Sequence, residues 1–190
     1  MALATPARVQ RFVAQDSPAT RDIEAAFTSA YNLDFPEGLA LARHAIETDP
    51  NSSRAHRSLA AIIWMQHNFE RGAITVDHAL GGIWVPPTRL IGTETADEFK
   101  GALAEAIRLA ERAVKRDGSD IAARFDAGSA YGLQASYFAS LEDGYTGAFR
   151  YARRTFEWQS DVLYRDPGFA AAGLTVGTYR YAIASQTPVV

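Results

Sequence analysis

The sequence predicts an all-α fold of antiparallel helix hairpins stacked on one another. Three observations point there. Apolar residues recur at i, i+3, i+4 and i+7 through most of the chain, which is the spacing of one helix face. Short chain-breaking turns cut these periodic segments, at Asp49-Pro50, Asp117-Gly118 and Asp166-Pro167. No segment alternates with the period of two that a half-buried strand needs. Helices joined by short turns, without strands, must bury their apolar stripes against one another.

Each element follows from its residues. Ile23, Ala26, Phe27, Ala30 and Tyr31 form the first stripe. Asp34 before Phe35-Pro36-Glu37 reads as an N-cap with proline inside the first turn, opening a second helix that carries Leu39, Ala42 and Ile46 and stops at Asp49-Pro50-Asn51. A third helix starts near Ser53, with Ala55, Leu59, Ile62, Ile63 and Gln66 on one side. Asn68 is expected to cap a fourth, turning Phe69, Ala73, Val76 and Leu80 inward. Gly81-Gly82 and Pro86-Pro87 then break the rhythm, so residues 81–97 are expected to be irregular. Thr95-Ala96-Asp97-Glu98 looks like a capping box for a helix striped by Phe99, Leu103, Ala106, Ala110 and Ala113. Beyond Gly118, a helix over about 120–140 carries the small-residue stripe Gly128, Gly132, Ala135 and Ala139, which would let two backbones approach closely. The next, about 145–164, is expected to bury Tyr145, Phe149, Ala152, Phe156 and Leu163. Asp166-Pro167 should cap a last helix with Phe169, Ala172, Val176, Tyr179 and Ile183 inward.

Three phrases repeat: Ala45-Ile46-Glu47-Thr48-Asp49-Pro50, Ala113-Val114-Lys115-Arg116-Asp117-Gly118 and Val162-Leu163-Tyr164-Arg165-Asp166-Pro167. Each describes the second helix of a hairpin running into its closing turn. Phe35, Gly38 and Ala45 recur 34 residues on as Phe69, Gly72 and Ala79. With Leu59, Ala60 and Pro50, these residues resemble the tetratricopeptide repeat (TPR) family, whose unit is about 34 residues. The likeness is good over 20–80 and fair over 98–185, within what reads as one helical domain spanning 1–190. The resemblance implies a right-handed superhelix of hairpins whose concave groove holds a peptide or protein partner. Some exported bacterial relatives handle small or lipid ligands instead. The apolar last helix lacks the polar capping face that ends such arrays, which implies either a chain continuing beyond Val190 or a homodimer covering that helix.

Composition narrows the function further. The formal net charge of −3 lacks the basic excess of a nucleic-acid binder. With no cysteine, the chain has neither disulfides nor thiolate chemistry. No stretch reaches the roughly 18 apolar residues of a membrane span, and a bacterial cytoplasmic or periplasmic setting suits the chain.

No constellation suggests catalysis or a cofactor. His44, His56, His67 and His78 lack metal-ligand spacing and read as surface or turn residues. Asp77-His78 has no nucleophile in an elbow motif. Gly128-Ser-Ala-Tyr-Gly132 sits inside a helix and is not a phosphate loop. Arg150 and Arg154 share a helix face and could clamp an anion, as could Arg108, Arg112 and Arg116, although acidic neighbours flank both sets. Thirteen of the 21 aromatic residues fall between Phe125 and Tyr181, so a partner-binding groove is expected there, with Tyr131, Tyr137, Arg150, Arg154 and Trp158 as its candidate residues. The leading expectation is a non-enzymatic scaffold for a protein or peptide. The rival is a small-molecule or lipid binder with an enclosed, aromatic-walled pocket.

Overall fold

A computed structural model describes residues 17–72, 91–141 and 145–186. These residues form seven helices and no strand: α1 (Pro18–Tyr31), α2 (Phe35–Thr48), α3 (Ser53–Glu70), α4 (Thr93–Arg116), α5 (Ile121–Leu141), α6 (Tyr145–Arg165) and α7 (Ala170–Gln186). The chain is all-α, as its periodicity requires.

The second helices α2, α4 and α6 end in one shared turn. In each, an aspartate N–H closes the helix onto the carbonyl four residues back: Asp49 onto Ala45, Asp117 onto Ala113, Asp166 onto Val162, at 2.8–3.0 Å. The same aspartate's carboxylate accepts the N–H two residues on, from Asn51, Ser119 and Gly168 at 3.2, 2.8 and 3.0 Å. Its carbonyl accepts the N–H three residues on, from Ser52, Asp120 and Phe169. A short acidic side chain folds its own backbone this way because its oxygen mimics a turn carbonyl. The following helix then begins at the fourth residue after each aspartate, at Ser53, Ile121 and Ala170. Asp166 therefore shapes a turn and does not cap α7. Ser52 and Asp120 cap α3 and α5, accepting from the N–H of Ala55 and Ala123.

Neighbour relations follow an alternating order. α1 packs on α2 and α3, and α2 packs on α3. α3 packs on α4 and α5, and α4 on α5; α5 then packs on α6, and α6 on α7. So α1 and α2, α3 and α4, and α5 and α6 pack in pairs, and α2, α4 and α6 each end in the aspartate turn. The main core lies among α1–α5, around Ile62, Ile63, Phe99, Leu103 and Tyr137.

Two glycines bring helices together. A Cβ on Gly38 of α2 would sit 3.0 Å from the Ala26 carbonyl oxygen of α1. On Gly128 of α5 it would meet the Gln159 amide nitrogen of α6 at 2.7 Å and the Trp158 Cβ at 3.0 Å. The small-residue stripe is thus a line of close approach between α5 and α6, although Ala139 at its end is exposed.

Several local expectations are corrected. Asn68 does not begin a new helix. α3 runs on to Glu70, the Asn68 amide donates back to the Trp64 carbonyl at 2.8 Å, and Gly72, with φ +72°, follows the helix end. Ala73, Val76, Ala79 and Leu80 lie outside the described residues. Thr95 is not a cap, because α4 starts at Thr93 with Gly92 before it and the Ala96 N–H bonded to the Gly92 carbonyl. Half-buried Ile91, packed on the core, fixes the chain one turn earlier than the polar residues suggested. On α6, Phe149 is exposed and the buried face is Ala148, Thr155, Gln159 and Val162. The glycines of α5 leave room only for smaller side chains; the Thr155 hydroxyl donates to the Tyr151 carbonyl and the Gln159 amide nitrogen to the Phe125 carbonyl, while Gln159 Oε1 is buried without a partner among the described residues. On α7, Ala172 and Val176 are buried while Ile183 is exposed. Among the described residues no helix is long and apolar enough to cross a membrane.

Candidate functional site

The N-terminal halves of α1, α3 and α5 stand together. They wall an open cleft of about 860 Å³, closed at its edges by the Asp49–Ser52 turn, Ala113 and Phe169. Ile23, Ala122, Ala123 and the ring of Phe125 give it an apolar floor, and Glu24, Arg54, Arg57 and Asp126 its charge.

The centre of the cleft is an ion pair across two first helices. Arg57 Nε of α3 donates to Asp126 Oδ1 of α5 at 2.9 Å, and Ser53 Oγ donates to Asp126 Oδ2 at 2.7 Å. Both charged side chains are largely buried, at 15% and 8% exposure. The guanidinium also lies 5.6 Å from the centroid of Phe125, whose ring packs on Phe169 at 4.8 Å. Carboxylate, hydroxyl and ring together hold Arg57 in one position. Arg54, one turn earlier, reaches only to 4.0 Å from Glu24, a loose and mostly solvated pair. Beneath the cleft, Arg124 of α5 is buried and donates to Asp161 of α6 and to the Asp120 carbonyl. Burial pulls the Asp161 carboxyl upward, but hydrogen bonds from Arg124 and Arg165 outweigh it and hold the group below the ordinary carboxylate range.

The residues expected to form an aromatic groove are divided. Tyr131 and Arg154 meet: Arg154 Nη1 donates to the Tyr131 hydroxyl at 2.8 Å, and that hydroxyl donates to Glu111 at 2.7 Å. Burial, reinforced by Glu111, pushes the phenol above its usual pKa, and the bond to Tyr131 raises that of Arg154. Tyr131 stacks on Tyr151 at 6.3 Å, and Arg150 lies over Tyr151 at 5.1 Å, so Arg150 joins the group at one remove. Tyr137 sits in the core, stacked on Phe99 at 5.1 Å. Trp158 is half-buried beside Gly128. Tyr131, Glu111 and Arg154 join α4, α5 and α6 through bonds they make to one another, and none of the five expected residues lines the cleft.

The histidines are dispersed. His44 Nδ1 pairs with Asp22 at 2.9 Å, His56 Nε2 with the Pro50 carbonyl at 3.0 Å, and His67 is buried against Trp64. His78, with Asp77, lies outside the described residues. Among the described residues no group of three or more metal-ligating side chains converges.

Sequence reasoning missed Arg54, Arg57, Phe125, Asp126 and Phe169. Their signal was partial: Arg54 and Arg57 share a face of α3, but nothing local joins Arg57 to Asp126, 69 residues away. Compared with known proteins, the chain matches no family model and no curated protein.

Proposed function

We propose that this protein is a non-enzymatic helical-repeat scaffold that holds an extended peptide or partner segment in the cleft between α1, α3 and α5. The observation that carries the reading is the cleft itself, walled by the N-terminal halves of α1, α3 and α5. The repeated aspartate turns and the alternating neighbour order support a TPR-like right-handed superhelix, in which such helices line the concave surface. An open trough lined by both charged and apolar groups suits a peptide, whose backbone and side chains need both. A small apolar or lipid ligand would call for an enclosed pocket. The outer face of α7, with Leu174 and Tyr181 exposed, is where we place the contact of a homodimer.

The test is panning a random 12-residue peptide library on the immobilised protein and measuring the selected peptides in solution. Ala122→Trp fills the cleft floor and should abolish their binding, while a Tyr131→Ala, Arg154→Ala double variant that remains folded should keep it. Equal binding to Ala122→Trp overturns the reading. Selection of nothing by the folded protein, with capture of fatty acids or other small apolar molecules, would favour the rival.

A further inference from the structure

We infer that the occupant of the cleft is a basic segment, an extended peptide carrying lysine or arginine. The inference rests on the scaffold reading above and adds the chemistry of the partner. Four carboxylates line the cleft, Glu24, Asp49, Asp120 and Asp126, against two guanidiniums, Arg54 and Arg57. Asp126 is closed by Arg57 and Ser53, so that pair presents little net charge outward. Arg54 offsets Glu24 at 4.0 Å. Asp49 and Asp120 remain; they accept neutral backbone N–H groups, from Asn51 at 3.2 Å and Ala123 at 2.8 Å. Such bonds hold a carboxylate in place without cancelling its charge. The N-termini of α1, α3 and α5 return part of a positive charge, about half a unit each, and only within the first turn. The Asp49 carboxylate sits in the turn before α3, where the following helix end offsets it only in part.

Phe125 and Phe169 line the same cleft. A ring face beside an acidic rim is the arrangement that attracts a cationic side chain, since the ring quadrupole and the carboxylate act on it together. The protein already uses that chemistry internally, with Arg57 over Phe125. Neighbouring helices pack about 8–10 Å apart, so three first helices span roughly 20 Å. An extended chain covers that with about six residues.

The test uses three acetylated, amidated ten-residue peptides in which threonine alternates with lysine, glutamate or glutamine, titrated into the full chain at low salt. Amide NMR shifts locate binding and fluorescence anisotropy gives affinity. The lysine peptide should shift the amides of Glu24, Asp49 and Phe125, bind at least tenfold tighter than the glutamate peptide, and weaken as salt rises. The Glu24→Gln, Asp49→Asn double variant should lose about three- to tenfold in affinity for it. The asparagine side chain keeps the turn-forming oxygen at that position, and an unchanged amide spectrum elsewhere checks the fold. If the glutamate or glutamine peptide binds the cleft as well as the lysine peptide, or the double variant loses nothing, the charge inference fails and the scaffold reading survives. If no peptide shifts cleft amides and panning also selects none, both fail.

Discussion

Replacing Gly128 with alanine adds one methyl group where α5 meets α6. By helix propensity alone the change stabilises a helix interior by about 1 kcal/mol. The surroundings reverse that sign. The new Cβ would lie 2.7 Å from Gln159 Nε2, 3.0 Å from its Cδ and 3.0 Å from Trp158 Cβ. Gln159 is fully buried, and its Nε2 donates to the Phe125 carbonyl and Ser129 Oγ, both at 3.2 Å, so moving it forfeits those bonds. Overpacking costs about 1–3 kcal/mol, and displaced hydrogen bonds add roughly 1 kcal/mol. The net expectation is a loss of about 1–3 kcal/mol. Gly101, inside α4, has nothing within 4 Å of the added Cβ, so Gly101→Ala should gain about 0.5–1 kcal/mol. Gly132 lies between these cases, with Thr155 Cγ2 at 3.4 Å, and should be near neutral. Urea unfolding with an unchanged m-value reads all three. Gly128→Ala at or above wild-type stability would refute the close α5–α6 approach.

Other outcomes follow from the same contacts. Asp126→Ala strands Arg57 in a largely buried position and should cost about 3–5 kcal/mol, while Arg57→Met with Asp126→Leu should recover much of it; a double variant as unstable as the single one would refute the pairing. Asp161 titrates below its ordinary value in the folded state, so its contribution is present above about pH 4 and is lost as pH falls through the lower folded value. Asp161→Asn should therefore destabilise at pH 7 and draw closer to the wild type as pH falls below about 4 in urea unfolding across pH; a gap that does not narrow counts against this. If α7 joins two copies, light scattering should give twice 20.7 kDa, and Leu174→Arg should return the single-chain mass. A wild-type chain that is monomeric at high micromolar concentration removes that contact.

The parts of this fold that were legible in the sequence are those decided within a few residues. Asp49, Asp117 and Asp166 each fold their own turn through a bond two residues on, and no distant contact is needed to recognise them. The stripes of α3 and α4, and that of α1 apart from Tyr31, which is exposed, were legible too, because each faces a core of ordinary hydrophobic residues. The buried face of α6 was not. Large aromatics normally win the inner positions, but against Gly128 and Gly132 α6 turns inward the face that carries Thr155 and Gln159, and Phe149 lies off that face. The 34-residue echo of Phe35 in Phe69 misleads in a related way. Phe35 opens α2 while Phe69 nearly closes α3, and Gly38 meets α1 where Gly72 follows a helix end; the two rings are neighbours at 5.6 Å, not counterparts. The cleft lay furthest from view, because Arg57 finds Asp126 only when α5 packs on α3 past the intervening α4. Part of its framing is nonetheless local: the Asp49 and Asp117 turns start α3 and α5 at the same offset, while α1 starts at its own Ser17 cap. Two of the three distant segments that wall the surface thus start from a turn that three residues are enough to specify.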